Sequence, residues 1–329
     1  MRRILSFLFG IIAINIILFS ANSPNIYFIY AQDTQYSNNT NEKNALLLNE
    51  LESIKNILKI KVTKLATALQ IASSLPQTLQ PPDINLIDLK IKGIPEDADI
   101  KKRNVAKILL DQFKEFSSID FLLNNGDIYF DEPFKDQLNR TVTNLSFRDY
   151  YQTVVQSKKT YLSDAIISKT TGRNLAVIAT PVINIENNMT GILLGTINFN
   201  NYDQFLQSYN LQDNSRLILI DKNGVKIGDS KEKGTSVSKE SFEKKQFSNL
   251  TSVRLALDGK SGSIVEKFDG RESQITFLPY ELFQNKRILL LIQYCSLDIN
   301  NSNICIDNDI DKELTLVNEN VLNKLGDFF

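Results

Sequence analysis

Histidine is absent from the 329 residues of the chain. Without imidazole, a His-based catalytic triad and a His general base are excluded, and so is almost every zinc site. The sequence also lacks a Gly-rich phosphate loop, a GxSxG motif and an EF-hand pattern. We therefore predict a protein with no catalytic step, no cofactor and no metal. A hydrolase built on paired carboxylates is the enzyme class that stays open.

The chain also lacks an excess of charge of one sign. It carries 37 basic and 38 acidic residues, for a net charge of −1. This balance gives no indication of a nucleic-acid-binding protein. The hydrophobic fraction of 42% is enough for two packed modules and argues against global disorder.

Cysteine is scarce, with only Cys295 and Cys305 near the C-terminus. In an exported protein such an even pair predicts a disulfide that closes a short loop. Two free or buried thiols are the alternative.

The first residues, MRRILSFLFGIIAINIILFSA, place Arg2 and Arg3 before an apolar run from Ile4 to Ala21. A run of about 18 residues lies at the boundary between a secretory signal and an uncleaved anchor. We expect residues 1–31 to be a signal peptide or an N-terminal membrane anchor, with the remainder outside the cytoplasm. The protein would then be either secreted or anchored to the cell membrane.

Residues 32–40 read as a polar linker, and residues 40–76 repeat apolar side chains at helical spacing without Gly or Pro until Pro76. This pattern predicts one long amphipathic stalk helix. Such a helix either packs on its own domain or forms the stalk of a homodimer. A shorter helix is expected over residues 101–116.

From Ile119 onward the pattern changes to strands. IDFLLNNGDIYF predicts a hairpin around Asn-Asn-Gly, and AIISKTTGRNLAVIATPVIN predicts another around Thr-Thr-Gly. GILLGTINF adds a strand, residues 201–211 form a helical connector, and RILLLIQY is a further strand.

The strand region contains an internal repeat. A gapless shift of 98 residues places Asn125-Gly126 on Asn223-Gly224, Gly172-Arg173 on Gly270-Arg271, Pro181 on Pro279 and Leu193 on Leu291. These matches fall on turn glycines and strand runs, where a shared fold requires them. We therefore predict an α+β fold with two tandem modules of antiparallel sheet, residues 83–205 and 206–294, followed by a polar acidic tail, residues 295–329.

The segment SFRDYYQ belongs to the first module alone. The same shift places Arg148, Asp149, Tyr150 and Tyr151 on Gln246, Phe247, Ser248 and Asn249. A guanidinium can hold a carboxylate by two parallel hydrogen bonds, and tyrosine rings can wall a pocket. We predict that this cluster contacts a ligand, with one tyrosine lining the pocket and the other packing. A local salt bridge of Arg148 with Asp149 or Asp164 is the alternative.

Several features occur together in this chain: the long exported helix, LLNNGDIYFD, SFRDYYQTVVQSKKTYLSDAII and GILLGTINF, followed by LILIDKNGVKIGDS. In this combination they resemble the double Cache (dCache) extracytoplasmic sensor domains. The resemblance covers roughly residues 42–293. It implies a long N-terminal helix that carries a membrane-distal and a membrane-proximal PAS-like module. It also implies ligand binding in the distal module and a dimeric receptor or kinase as the usual context.

The amino-acid-binding branch of this family carries an arginine, a Trp-Tyr pair, a further tyrosine and two aspartates. Here Arg148, Tyr150 and Tyr151 match the first three, whereas the later positions fall near Ile166, Ser168 and Thr196. The resemblance thus implies a carboxylate grip without the acids that hold an ammonium group, which favours a small carboxylate over a free α-amino acid. The further pocket candidates are Asp164, Ser168, Lys169, Thr196 and Asn198.

After the second module, RILLLIQY has only strand length, and no kinase, methyl-accepting or cyclase segment follows it. We expect an exported ligand-sensing module that signals through a membrane partner. A structural or adhesive surface protein, or a truncated receptor without its output domain, are the alternatives.

Overall fold

A computed structural model describes residues 25–168, 174–209, 211, 214–231, 247–297 and 303–304. The chain divides into two compact units, residues 1–46 and residues 47–329. The apolar run of the predicted signal or anchor and most of the predicted tail lie outside the described residues. Within the described residues, no helix is both long enough and apolar enough to cross a membrane.

Helix α1 spans Asn25–Ser73, so the segment predicted as a polar linker, residues 32–40, lies within a helix. Its Asp, Asn, Thr and Gln residues cost under about 0.7 kcal/mol each in a helix, and none is Gly or Pro. The helix ends before Pro76, as predicted from the missing N–H of proline.

One face of α1 is buried from Leu47 onward. Leu51, Ile54, Leu58, Leu65 and Leu69 are at most 3% exposed and follow the three-and-four spacing of a helix face. They belong to the main hydrophobic core, together with side chains of the first sheet. The amphipathic reading of this segment is thereby confirmed.

Three short elements follow α1: α2 (Pro76–Leu79), a 3₁₀ turn (Ile84–Leu86) and α3 (Ile100–Gln112). Lys102 of α3 is buried, and its ammonium donates hydrogen bonds to the carbonyls of Gln77, Thr78 and Gln80 at 3.1, 3.1 and 2.9 Å. Burial lowers the pKa of Lys102, whereas Asp99 acts in the opposite direction. The lysine thereby satisfies carbonyls that the end of α2 leaves without helical partners.

The elements of the first module in chain order are β1 (Phe116–Leu122), β2 (Ile128–Glu132), α4 (Phe134–Leu138), α5 (Asp149–Ser157), β3 (Tyr161–Leu162), β4 (Ile166–Ile167), β5 (Asn174–Ile183) and β6 (Met189–Asn198). The six strands form an antiparallel sheet in the order β2-β1-β6-β5-β3, with β4 paired to β5.

The second sheet has five antiparallel strands in the order β8-β7-β11-β10-β9. Its elements are the connecting helix α6 (Phe199–Gln207), β7 (Ser215–Asp221), β8 (Lys226–Asp229), α7 (Thr251–Leu257), β9 (Gly262–Phe268), β10 (Arg271–Leu282) and β11 (Asn285–Tyr294). A two-stranded ribbon of β12 (Ser296–Leu297) and β13 (Asn303–Ile304) follows. Cys295 is disulfide-bonded. Cys305 lies outside the described residues, so the pairing of the two stays a prediction.

The predicted α+β class, with a long N-terminal helix and two antiparallel sheets, is confirmed. Strands β1 and β2 form the predicted Asn-Asn-Gly hairpin, and Gly126 takes the positive φ of 87° that its turn requires. Strands β4 and β5 pair as the Thr-Thr-Gly hairpin predicts, although its turn, including Lys169 and Arg173, lies outside the described residues.

Strand pairing tests the repeat directly, because equivalent residues must have equivalent partners. Asp120 pairs with Asp131 in the first sheet, and Ile218 pairs with Asp229 in the second, which preserves the shift of 98 residues. Phe121 pairs with Leu193, whereas its counterpart Leu219 pairs with Leu289. The predicted match of Leu193 with Leu291 is therefore wrong by two residues, since the second hairpin is shorter.

The equivalent of Arg148 also needs correction. Arg148 donates its N–H to Leu145 and caps α5, and Leu250 donates to Phe247 and caps α7 in the same way. Arg148 therefore corresponds to Leu250, not to Gln246, because the loop before α7 is longer. At this helix-capping position the first module has an arginine and the second a leucine.

The two faces of the first sheet serve different purposes. Ile119, Phe121, Ile178 and Ile197 belong to the core that includes α1, whereas the alternate residues of the same strands point to the opposite face. Gly195 permits the close approach of α1, since a Cβ there would overlap Phe116 and Leu69. One face is thus closed by α1, and the other is available for a site.

Replacing Lys102 by methionine tests the buried ammonium. Because three backbone carbonyls would lose their donor, we expect the free energy of unfolding to fall by about 1–3 kcal/mol. Urea unfolding followed by circular dichroism measures it. The adjacent Lys101 is exposed, and Lys101→Met should leave the stability unchanged. Equal effects of the two substitutions would contradict the capping role of Lys102.

Candidate functional site

A cavity of about 440 Å³ lies on the face of the first sheet that α1 leaves open. Its volume is within the range of about 300–1,000 Å³ found for small-molecule sites. Its walls are Ser117, Ser118 and Asp120 of β1, Pro133, Lys135, Asp136 and Arg140 in and around α4, Leu145, Arg148 and Tyr150 at the start of α5, Ile166 and Ser168 at β4, Leu175 and Val177 of β5, and Leu194, Thr196 and Asn198 of β6.

The alternation of the strands produces this lining. Asp120, Val177, Leu194 and Thr196 occupy the positions between the residues that pack on α1. In the hairpin-built sheet, neighbouring strands present these alternate side chains to one side. Polar residues at β1 and β6 therefore meet at one wall of the cavity.

Arg148 reaches the cavity from the N-terminus of α5. Its backbone is extended, with φ −77° and ψ 142°, and its side chain makes no capping hydrogen bond to the helix. One terminal nitrogen, Nη2, donates to the carbonyl of Ile167 in β4 at 3.2 Å. Its Nε atom is buried and has no hydrogen-bond partner among the described residues. The guanidinium is thus held in place while retaining a donor for a bound molecule.

The predicted alternative, a local salt bridge, is not found among the described residues. Asp149 accepts a hydrogen bond from the Tyr161 hydroxyl at 3.4 Å. Asp164 forms ion pairs with Lys222 and Arg287 of the second module, at 3.0 and 3.7 Å. Neither carboxylate is paired with Arg148.

The adjacent tyrosines have different surroundings because they lie on a helix, where successive residues are about 100° apart. Tyr150 is 3% exposed and lines the cavity, and burial raises its pKa. Tyr151 packs against the hydrophobic cluster that includes Tyr150, Val177 and Leu194. Its hydroxyl donates to the carbonyl of Asn124 at 2.5 Å. Tyr150 thus lines the cavity and Tyr151 packs beside it, on a segment that is helical rather than extended.

Two carboxylates beside the cavity share one guanidinium. Arg140 Nη2 lies 2.6 Å from Asp120 Oδ2 and 2.8 Å from Asp131 Oδ1, and Arg140 Nε also donates to Asp131. Asp120 and Asp131 are 4% and 0% exposed. Burial, and after it the charge of Asp131, raises the pKa of Asp120 to about 7, although Arg140 acts in the opposite direction.

Sequence reasoning missed Asp120 and Arg140. The equivalent of Asp120 in the second sheet is Ile218, so a charge between Ile119 and Phe121 distinguishes the modules as clearly as Arg148 does. Comparing equivalent strand residues of the two modules would have identified Asp120. Arg140 follows α4 in a loop, and we find no sequence signal that points to it.

The remaining predicted site residues fall into three groups. Ser168, Thr196 and Asn198 line the cavity with Arg148 and Tyr150, whereas Asp149, Tyr151 and Asp164 are not in its described walls. Lys169 lies outside the described residues. The structure therefore brings together five of the predicted residues.

Asp164 lies at the junction of the two modules. Its Oδ1 accepts from Asn285 at 2.7 Å and its Oδ2 from Asn223 at 3.2 Å. Arg287 donates to the carbonyl of the neighbouring Ser163 at 2.5 Å. These contacts make Asp164 a connector of the two modules, a role that its sequence position did not reveal.

No group of three or more Cys, Asp or Glu side chains among the described residues could hold a metal ion. Asp120 and Asp131 are instead paired with Arg140.

A family model described as a Cache domain, of the dCache type, matches residues 31–291. Among curated proteins, the chain is 30% identical over 106 residues to sporulation kinase D of Bacillus subtilis strain 168. That match covers 32% of this chain and 20% of the kinase, so the chain spans about a fifth of that relative.

Solved structures show the same fold. The periplasmic sensory domain of the Campylobacter jejuni chemoreceptor Tlp1 has a TM-score of 0.56 at 11% identity, covering 78% of this chain and 96% of that one. The ligand-binding domain of the Pseudomonas fluorescens chemoreceptor CtaA, in complex with L-isoleucine, has a TM-score of 0.51 at 15% identity, covering 80% and 94%.

A third structure is an extracellular ligand binding receptor from Desulfohalobium retbaense DSM5692. Its TM-score is 0.54 at 13% identity, and the match covers 74% of this chain but 39% of the receptor chain. The chain therefore spans about two fifths of that protein.

The raised pKa of Asp120 predicts a dependence of stability on pH. Its folded pKa of about 7 lies above its ordinary value, so the unfolded chain releases the proton at a lower pH than the folded one. The free energy of unfolding should therefore fall as the pH rises from about 4 to about 7, by up to about 1.4 kcal/mol per pKa unit. Urea unfolding at about pH 5 and about pH 8 measures this loss.

Asp120→Asn should weaken that dependence, because asparagine does not titrate. Asp258→Asn, at an exposed position of the second module, should leave it unchanged. A wild-type pH dependence retained in Asp120→Asn would contradict the assignment.

Proposed function

Since the chain belongs to the double Cache (dCache) family of Cache domains, we propose that it is an extracytoplasmic sensing module that binds a small carboxylate in its first module through Arg148. The observation that carries the proposal is that Arg148 lines the cavity while its buried Nε has no hydrogen-bond partner among the described residues. A buried cationic donor left without a partner costs free energy. A bound carboxylate would satisfy it with a charge-assisted hydrogen bond.

The surroundings support a small ligand with an apolar part. Leu145, Leu175, Val177 and Leu194 supply apolar wall, and Tyr150 supplies an aromatic ring. Thr196, Ser168 and Asn198 add polar groups at the same cavity. Apolar walls with a few polar groups are typical of small-molecule sites.

The proposed signalling step runs from the cavity to the second module. The segment from Tyr161 to Ser168 meets Arg148 at Ile167 and lines the cavity at Ile166 and Ser168. Its other half is bonded to the second module through Asp164 and Ser163. A ligand that draws Arg148 toward itself would favour one arrangement of this segment over another.

The partner that reads this change is a further part of the proposal. We place the protein outside the cytoplasm, either secreted or anchored, and assign its output to a membrane signalling partner. A homodimer through α1 is supported by Ile60 and Ile71, which are 54% and 59% exposed on one open groove of that helix. We assign no catalytic step to the described residues.

Thermal unfolding in the presence of small carboxylates, amines and sugars tests the proposal. A binding compound at a hundredfold excess over its Kd should stabilise the protein by about 2.7 kcal/mol. We expect carboxylates to do so, and the effect should disappear in Arg148→Ala. Arg254→Ala, an exposed arginine on α7, should respond as the wild type does.

Two outcomes would contradict the proposal. Indifference of the wild type to every carboxylate would favour the structural scaffold. Stabilisation that persists in Arg148→Ala would place binding elsewhere.

A further inference from the structure

The cavity contains a second unsatisfied group besides Arg148, and its charge is opposite. Asp120 lines the cavity and is 4% exposed, and its Oδ1 atom is buried with no hydrogen-bond partner among the described residues. The other oxygen, Oδ2, accepts from Arg140 at 2.6 Å. One carboxylate oxygen is thus bonded to Arg140. The other is buried, and the nearby Ser118 side chain also favours the ionised form of the Asp120 carboxyl.

The elements around Asp120 leave its charge only partly compensated. Ser118 lies two residues earlier on the same face of β1, and Asp131 faces Asp120 from β2. Arg140, Lys135 and Asp136 approach from the α4 region, and Arg148 and Tyr150 from the start of α5. All of these residues except Asp131 line the cavity.

Arg140 cannot neutralise both of its partners. With Asp120 and Asp131 ionised, the guanidinium of Arg140 faces two buried carboxylates. Arg103 also acts on Asp131, but its guanidinium is itself paired with Glu132 at 2.8 Å. A buried charge of this kind is costly unless a proton or a hydrogen-bond donor compensates it. In the proposed site, a donor on the ligand would approach the Asp120 carboxyl from the cavity that this residue lines.

We propose that Asp120 is the specificity-determining residue of this site: when ionised, it selects carboxylates whose far end carries a hydrogen-bond donor, and when protonated, it admits a hydrogen-bond acceptor there. The inference rests on the proposed function, in which Arg148 holds the ligand's carboxylate. Arg148 fixes one end of the ligand, and Asp120 chooses the group at the other end.

The chemistry follows from the donor and acceptor inventory of a carboxyl group. An ionised carboxylate only accepts hydrogen bonds, so it favours an ammonium or hydroxyl group and repels a second carboxylate. A protonated carboxyl gains an O–H donor and can bind a carboxylate oxygen. Since burial and Asp131 raise the pKa of Asp120 to about 7, both forms are populated near neutral pH.

Matched probes separate the two forms. We would measure affinities by isothermal titration calorimetry for ω-amino carboxylates, α,ω-dicarboxylates and unsubstituted carboxylates of about three to six carbons, between about pH 6 and about pH 8. The amino carboxylates and the unsubstituted acids keep their charges over this range. The affinities of the dicarboxylates are corrected for the monoanion that is present near the lower end of the range.

The wild type should bind the dicarboxylates more weakly as the pH rises, by about tenfold over that range, and the amino carboxylates more tightly. Affinity for the unsubstituted acids should change least. Asp120→Asn should remove the pH dependence for both probe classes, because its amide neither gains nor loses a proton.

Asp131→Asn is the matched variant, since Asp131 shares Arg140 but is not in the described wall of the cavity. Without its negative charge the pKa of Asp120 falls, so the change of preference should move to lower pH while the selectivity itself persists. This variant also keeps the test decisive if Asp120→Asn does not fold.

Each result decides one of the two proposals. If no carboxylate binds at any pH, the proposed function fails. If carboxylates bind in an Arg148-dependent manner, but end-group preference and pH dependence are the same in wild type and Asp120→Asn, only the role of Asp120 is overturned. The role of Asp120 would also be overturned if the change of preference occurred at the same pH in Asp131→Asn as in the wild type.

Discussion

The alternation of side chains along the first sheet is the constraint on which the site depends. Because successive residues of a strand point to opposite faces, β1 commits Ile119 and Phe121 to α1 and presents Asp120 to the other side. The same division on β5 and β6 leaves Val177, Leu194 and Thr196 at the open face. A shift of any of these strands by one residue would bury the polar set against α1 and destroy the cavity.

The second module shows the same architecture with different side chains at these positions. Its β7 carries Ile218 where β1 carries Asp120, and α7 begins after Leu250 where α5 begins after Arg148. Ile218 belongs to an apolar cluster with residues of α7. The two modules thus share a backbone plan and differ in the side chains at these two positions.

Much of the fold could be predicted from the sequence, because hydrophobic spacing, turn glycines and a repeat of 98 residues act locally. The misplaced matches of Arg148 and Leu193 have one cause: loops of different length break a gapless shift. The helical state of residues 32–40 was missed since polar residues without Gly or Pro are compatible with both helix and linker.

Arg148 and Tyr150 were found from chemistry, whereas Asp120 and Arg140 depend on strand register and on a loop that returns across the sheet. The contacts of Asp164 with Asn285 and Arg287 of the second module depend on tertiary structure, so its neighbours in the sequence do not predict them.

The proposed function requires a carboxylate to bind at Arg148. A crystal structure of the protein grown with a stabilising carboxylate would show whether it does. We expect density for the ligand in the cavity of the first module, with a carboxylate oxygen within hydrogen-bond distance of Arg148 Nε. Density for the ligand in the second module, or in the first with no contact to Arg148, would contradict it.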